Sequence, residues 1–180
     1  MSDDTPSGEG KRRIDRILAP GFGDDLPEME MEELRARRDL CRAEREYLSF
    51  LRRLLQGRRD LLRDELERRR SGGDPGPLVE RITAVLAEGS RGPSRGEAVL
   101  VTVPEEEISL ARRRIERLLS DAHLSDLEGL SDRELEEAIE RIDGEEREIS
   151  ESRTSVIGIH DRFQEEMKRR FRGELKGLRA

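Results

Sequence analysis

The stretch Ser49-Phe-Leu-Arg-Arg-Leu-Leu-Gln-Gly-Arg-Arg-Asp60 sets four hydrogen-bonding side chains in one row. Ser49, Arg52, Gln56 and Asp60 are spaced by three, four and four. On a helix turning about 100° per residue they share, with Arg45, an arc of roughly 80°. Arginine offers a planar fork that fits a phosphate or the O6/N7 edge of guanine. A carboxylate accepts from guanine N1 and its exocyclic amine, and a hydroxyl and an amide satisfy phosphate or ring atoms. Together these groups suit a guanine nucleotide lying along a helix.

Any charged helix has polar faces, so the row taken alone also describes a solvated surface. Two features weigh against that reading. Serine is an indifferent helix former, an odd choice for an exposed mid-helix position. The row also recurs. Laid over itself at an offset of 101, the chain aligns residues 13–70 with 114–171 without a gap, and 16 of the 58 positions are identical. Arg13 and Ile14 meet Arg114 and Ile115, Asp25 and Leu26 meet Asp126 and Leu127, and Glu33 and Leu34 meet Glu134 and Leu135. Ser49, Arg52, Gly57 and Asp60 meet Ser150, Arg153, Gly158 and Asp161. The second row therefore reads Glu146, Ser150, Arg153, Ile157 and Asp161.

The elements that must carry these rows follow from the apolar columns. Leu34, Cys41, Leu48, Leu55 and Leu62 stand at a strict spacing of seven, as do Leu135, Ile142, Ile149, Val156 and Phe163. That is the coiled-coil signature. The first copy adds a parallel row, Leu40, Tyr47, Leu54 and Leu61. The second is thinner, with Ile139, Ile159 and Met167 off the main row. The pattern predicts one helix over 31–70 and another over 132–171. Ser131 with Glu134 supplies a capping box for the second, and Ser71-Gly-Gly-Asp-Pro-Gly-Pro77 ends the first.

The connector is long enough for the helices to pair antiparallel, and it just allows a parallel pair. Antiparallel is the preferred arrangement, and it gives the two rows a pseudo-two-fold relation suited to a two-fold ligand. Within the connector, Leu78, Val79, Ile82, Val85 and Leu86 predict a short helix after Pro77. Ile108, Ala111, Ile115, Leu118 and Leu119 predict another after Pro104, in the first-turn position that favours proline. GSRGPSRGEA between them reads as a mobile loop. The expected organisation is a disordered 1–12, a first repeat over 13–70, a connector over 71–113, a second repeat over 114–171 and a tail over 172–180. The fold class is all-α: an antiparallel two-helix coiled coil with short helices and a flexible loop in the connector.

Composition agrees with this class. Of the 180 residues, 43% are charged and 3% aromatic, with no Trp and one Tyr. Long helices that bury a narrow stripe fit such a sequence, whereas a thick layered core does not. The net charge of −7 conceals an asymmetry: residues 35–70 hold 13 Arg against 7 Asp/Glu, and residues 105–151 hold 7 Arg against 17 Asp/Glu. The basic segment is free to meet the acidic one, an anionic ligand, or both. One cysteine forms no intramolecular disulfide or cysteine-based zinc site, and His123 and His160 are the only histidines. No run approaches a membrane span or a leader, which predicts a soluble cytoplasmic protein.

The row resembles the signature Glu-x3-Ser-x2-Arg-x3-Gln-x3-Asp of the RsiG family, actinobacterial anti-sigma factors armed by cyclic di-GMP. "EREYLSFLRRLLQGRRDLLRDEL" is similar to the first helix of the twin-motif form and "EEREISESRTSVIGIHD" to the second. Carried over by position, the resemblance makes Ser49, Arg52, Gln56 and Asp60 nucleotide ligands in the first copy. In the second it makes Glu146, Ser150, Arg153 and Asp161 ligands. The first copy departs at its Glu position, which is Arg45, with Glu44 or Glu46 as neighbours that reach the place after a small rotation. The second departs at its Gln position, Ile157. The resemblance implies an adaptor without catalysis. It is expected to be monomeric, with two cyclic di-GMP molecules on the coil, capturing a WhiG-type sigma factor of the flagellar class during development.

Two other functions remain in view. A structural coiled coil that ignores nucleotides predicts a replaceable Ser-Arg-Asp row. An enzyme of cyclic di-GMP metabolism needs a metal cluster or activated nucleophile, and the sequence offers neither. His160 reads as a flank residue beside the site and Cys41 as a small seam residue. The acidic second helix and scarce aromatics argue against direct nucleic-acid binding.

Overall fold

The computed structural model describes residues 12–72, 103–119, 127 and 129–177. Four helices are present among them: α1 (Arg13–Ile17), α2 (Met31–Ser71), α3 (Glu105–Leu118) and α4 (Asp132–Gly177). There is no strand among the described residues. The helix expected around Leu78–Leu86, the GSRGPSRGEA loop and the first eleven residues lie outside them.

Helix α2 begins with Glu32 and Glu33 in its first turn and ends with three arginines, which suits the helix dipole at both ends. Gly72 then takes φ 65°, a left-handed turn that glycine adopts without steric cost. The Ser131 capping box forms as read: the Ser131 amide donates to Glu134 Oε2 at 2.7 Å, and the Glu134 amide donates to Ser131 Oγ at 3.3 Å. Two boundaries differ from expectation. Pro104 stands at the N-cap of α3, ahead of the first turn. Helix α4 runs past the expected end at Phe171 to Gly177, because Arg172 to Gly177 contain no proline and nothing there stops the helix.

Both heptad columns lie in the core, joined by Leu51, Leu66 and Ala138 on the long helices and by Ile17, Ala111 and Ile115 on α1 and α3. Leu34, Cys41, Leu48, Leu55 and Leu62 are buried, and so are Leu135, Ile142, Ile149, Val156 and Phe163. Cys41 is enclosed, and burial pushes its thiol up to about 11, as befits a seam residue. Leu40, Tyr47, Leu54 and Leu61 are only half-covered, so the wider apolar face flanks the seam.

The chain divides into two compact units, and both long helices contribute to each. Unit one comprises residues 1–48 and 151–180. There Phe22 meets Phe163 edge-on with centroids 5.8 Å apart, under the Arg37 guanidinium, which donates to the Phe22 carbonyl at 2.6 Å. Arg13 on α1 holds the buried Glu44 at 2.5 Å. Glu166 accepts from both Arg169 and Arg170, and Arg170 also donates to the carbonyls of Leu26 and Pro27.

Unit two comprises residues 49–150. Arg114 on α3 holds Glu145 at 2.6 Å. Glu65, fully buried, accepts from Arg68 and Arg69, and Arg69 donates on to the carbonyls of Leu127 and Leu130. Gln56 meets Glu146, Arg59 meets Asp143, and Arg70 meets Glu136. Rising numbers on α2 meet falling numbers on α4, so the helices are antiparallel.

Two polar latches of one unit recur in the other at the offset of 101. Arg13–Glu44 corresponds to Arg114–Glu145. Glu65 with Arg68 and Arg69 corresponds to Glu166 with Arg169 and Arg170. Even the carbonyl held by the second arginine shifts by that interval, from Leu26 to Leu127. Several identities between the copies are therefore members of these carboxylate–arginine latches. A buried carboxylate is costly unless two or more donors compensate it.

These latches have a pH signature. The hydrogen bonds from Arg169 and then Arg170 hold the Glu166 carboxyl down to about 2, below the ordinary 4.5. A depressed carboxylate contributes stability that is complete above its unfolded value and is lost as pH falls through the folded one. Stability should therefore decline between about pH 4.5 and 2, by ~2 kcal/mol from this group after allowance for solvent screening. Urea unfolding at a series of pH values checks this, and Glu166→Gln should flatten the slope. An equally steep slope in that variant would refute the assignment.

Candidate functional site

The first-copy row lies wholly in unit two, on the half-covered flank of α2. Ser49, Arg52, Gln56 and Asp60 are all partly exposed, which a ligand-binding edge of a seam requires. Glu146 and Ser150 lie in the same unit. Glu146 joins the first row from the facing helix: Gln56 Nε2 donates to its Oε1 at 2.5 Å, and Arg52 Nε stands 3.9 Å from the same oxygen. Thus the first copy, whose own glutamate position is Arg45, meets the signature glutamate of the second.

Arg59 and Arg63 complete the cluster. Arg59 donates to Glu146 Oε2 at 2.7 Å and lies 3.4 Å from Asp143 Oδ1, while Arg63 donates to Asp143 Oδ2 at 2.8 Å. Burial works against the Arg59 charge, but Glu146, Asp60 and Asp143 outweigh it and raise the guanidinium above its usual value. Of the alternatives left open for the basic segment, its meeting with the acidic one is seen here. The individual residues Arg59, Arg63 and Asp143 were not legible as site members, because their partners sit on the other helix.

Arg153, Ile157 and Asp161 fall in unit one, as do Arg45 and Glu46. Asp161 is open to solvent, and its Oδ1 is 3.0 Å from His160 Nδ1. Ile157 and Arg45 are half-covered. The two glutamates proposed to replace Arg45 are both engaged. Glu44 is buried against Arg13, which removes it from the row, and Glu46 accepts from Arg42 one turn earlier at 3.1 Å. Presenting Glu44 at the row would require breaking its ion pair with Arg13.

Chemically the cluster offers guanidinium forks, three carboxylates and an amide along one edge. Guanidinium forks, carboxylates and amides are the groups that pair with phosphates and base edges in general, and here they are paired with one another between the helices. Among the described residues no three His, Cys, Asp or Glu side chains are grouped to hold a metal ion, and no helix is long and apolar enough to cross a membrane.

Residues 20–86 match the protein family described as RsiG-like. That span includes the Phe22 loop, all of α2 and the complete first-copy row. No curated protein matches the sequence.

Proposed function

We propose that this chain, which matches the RsiG-like family over residues 20–86, acts as an anti-sigma factor under the control of cyclic di-GMP. The nucleotide lies on the polar flanks of the coil, two molecules per chain. Ser49, Arg52, Gln56 and Asp60 contact it from the first copy, and Glu146, Ser150, Arg153 and Asp161 from the second. The loaded form captures a WhiG-type sigma factor of the flagellar class in the cytoplasm and withholds it from RNA polymerase. Such a factor would act in developmental gene control.

One observation carries this reading: Glu146 meets Gln56 and approaches Arg52 at the flank, so signature residues of both copies converge on one edge. A ligand there neutralises an arginine-rich surface and ties the helices together, creating a face that the free protein lacks. Guanine would use the arginine forks and the Asp carboxylates, and the phosphates the remaining donors. Arg45 and Ile157 leave the two copies unequal.

A second reading is favoured by the same contacts. Gln56, Arg59 and Glu146 satisfy one another between helices, as a structural coil with no ligand would require. Calorimetric titration with cyclic di-GMP, GTP and cyclic di-AMP separates the two. Binding of cyclic di-GMP alone, near two molecules per chain, is expected. No heat with any of the three would leave the structural coil.

A further inference from the structure

The signature carboxylates Asp60 and Asp161 each receive a hydrogen bond from the residue directly before them in the chain. In unit two, Arg59 Nε lies 3.3 Å from Asp60 Oδ1. In unit one, His160 Nδ1 lies 3.0 Å from Asp161 Oδ1. Arg59 and His160 occupy the same place in the two repeats, at the offset of 101. Adjacent side chains on a helix diverge by about 100° and do not ordinarily face each other. Both pairs therefore bend toward one another, and they do so with different chemistry, a guanidinium in one copy and an imidazole in the other.

The two pairs also share a layout. The donor is the covered member, with side-chain exposures of 20% for Arg59 and 13% for His160. The carboxylate is the open one, at 40% for Asp60 and 67% for Asp161. In both, the bond is made to Oδ1, which leaves Oδ2 to accept from outside. An unrestrained aspartate on a helix surface samples several rotamers, and fixing it at the moment of binding costs affinity. A carboxylate fixed beforehand meets two parallel N–H groups with its plane already set.

We infer that Arg59 and His160 are positioning residues that orient Asp60 and Asp161 toward the N1 and exocyclic amine of guanine, and so set base selectivity in the two copies. The inference rests on the cyclic di-GMP reading above. It goes beyond the signature, which contains neither position. The copies are not equivalent in this respect. Arg59 is shared with Asp143 and Glu146, whereas the His160 bond is made to its neighbouring carboxylate. His160 donates when Nδ1 carries the proton.

The test compares cyclic di-GMP with cyclic di-inosine monophosphate, whose bases lack the exocyclic amine. The wild-type protein should prefer the guanine form by about tenfold or more, as expected when a site built to accept an N–H is left unpaired. His160→Ala should lower that ratio severalfold through loss of guanine affinity, with the inosine form little changed. His160→Asn, which returns an amide donor near the Nδ1 position, should restore most of it. A purely structural role for His160 would weaken both ligands alike and leave the ratio constant.

Arg59→Ala is the independent arm in the other copy, read by the same ratio with helicity followed by circular dichroism. Ratios unchanged in both alanine variants, with guanine binding retained, would overturn the positioning role alone. Failure of His160→Asn to do better than His160→Ala would overturn it in the second copy. Absence of wild-type binding to either nucleotide would overturn the cyclic di-GMP reading, and this assignment with it.

Discussion

Leu55→Asp should abolish cooperative folding. Leu55 is fully buried in the middle of the first heptad column, so the substitution removes an apolar side chain from the seam and places a carboxylate there. Loss of leucine burial costs about 2–3 kcal/mol. An unpaired buried carboxylate adds several more, or else takes up a proton at comparable cost. The sum, ~5 kcal/mol or above, matches the whole stability of many small domains. Its core is a narrow stripe with few aromatic residues, so no second apolar layer offsets such a loss. Thermal unfolding followed by circular dichroism checks the outcome. Arg53→Asp, on the exposed face of the same helix, should stay within about 0.5 kcal/mol of the wild type. A cooperative transition in Leu55→Asp close to that of the wild type would contradict the register.

The second large effect concerns binding without folding. Arg52→Ala and Asp60→Ala should each weaken cyclic di-GMP binding by about 10- to 100-fold. That is the equivalent of one charge-assisted hydrogen bond lost to a site that has no replacement. Helicity should not change, because both side chains lie on the half-open flank and neither belongs to the seam. Sigma-factor capture should fall in parallel, since ligand and partner are thermodynamically linked. Arg52→Lys should recover only part of the loss, as an ammonium lacks the planar fork. Titration and pull-down of the sigma factor read both quantities. Unchanged affinity in both alanine variants would remove the row from the site. Lost helicity would instead mark the row as structural, since the two substitutions touch no buried apolar contact.

Much of the fold was legible because its determinants are local. The interval of seven between Leu34 and Leu62 specifies a stripe on one helix whatever lies opposite. The Ser131–Glu134 capping box likewise involves residues within one turn. The polar row was legible for the same reason: four residues within one arc of a helix share a face before any tertiary contact exists. The second copy became visible only when it was laid over the first, as an offset that preserves Ser, Arg, Gly and Asp amid changed surface residues.

The buried carboxylates were not legible. Glu44, Glu65 and Glu166 lie beside the seam among many other glutamates in a chain rich in charge, and helical spacing alone does not say which of them is enclosed. The donor to Glu44 is Arg13 on another element, and although Glu65 and Glu166 accept from arginines one turn on in their own helices, their enclosure depends on what packs over them. Of the two neighbours considered for the missing signature glutamate, Glu44 or Glu46, Glu44 is the one enclosed against Arg13.

What the sequence by itself determined, then, is the pair of heptad columns, the capped start of α4, and the two rows of ligand-like side chains. Each rests on residues a few positions apart, where helix geometry leaves no freedom. Only the tertiary structure decided that Glu146 meets Gln56 and that Arg59 is shared between Asp143 and Glu146. Those contacts join residues distant along the chain, and their register is set by how the apolar side chains of two helices interlock. Periodicity says that a helix has a partner, and packing says which residues face each other.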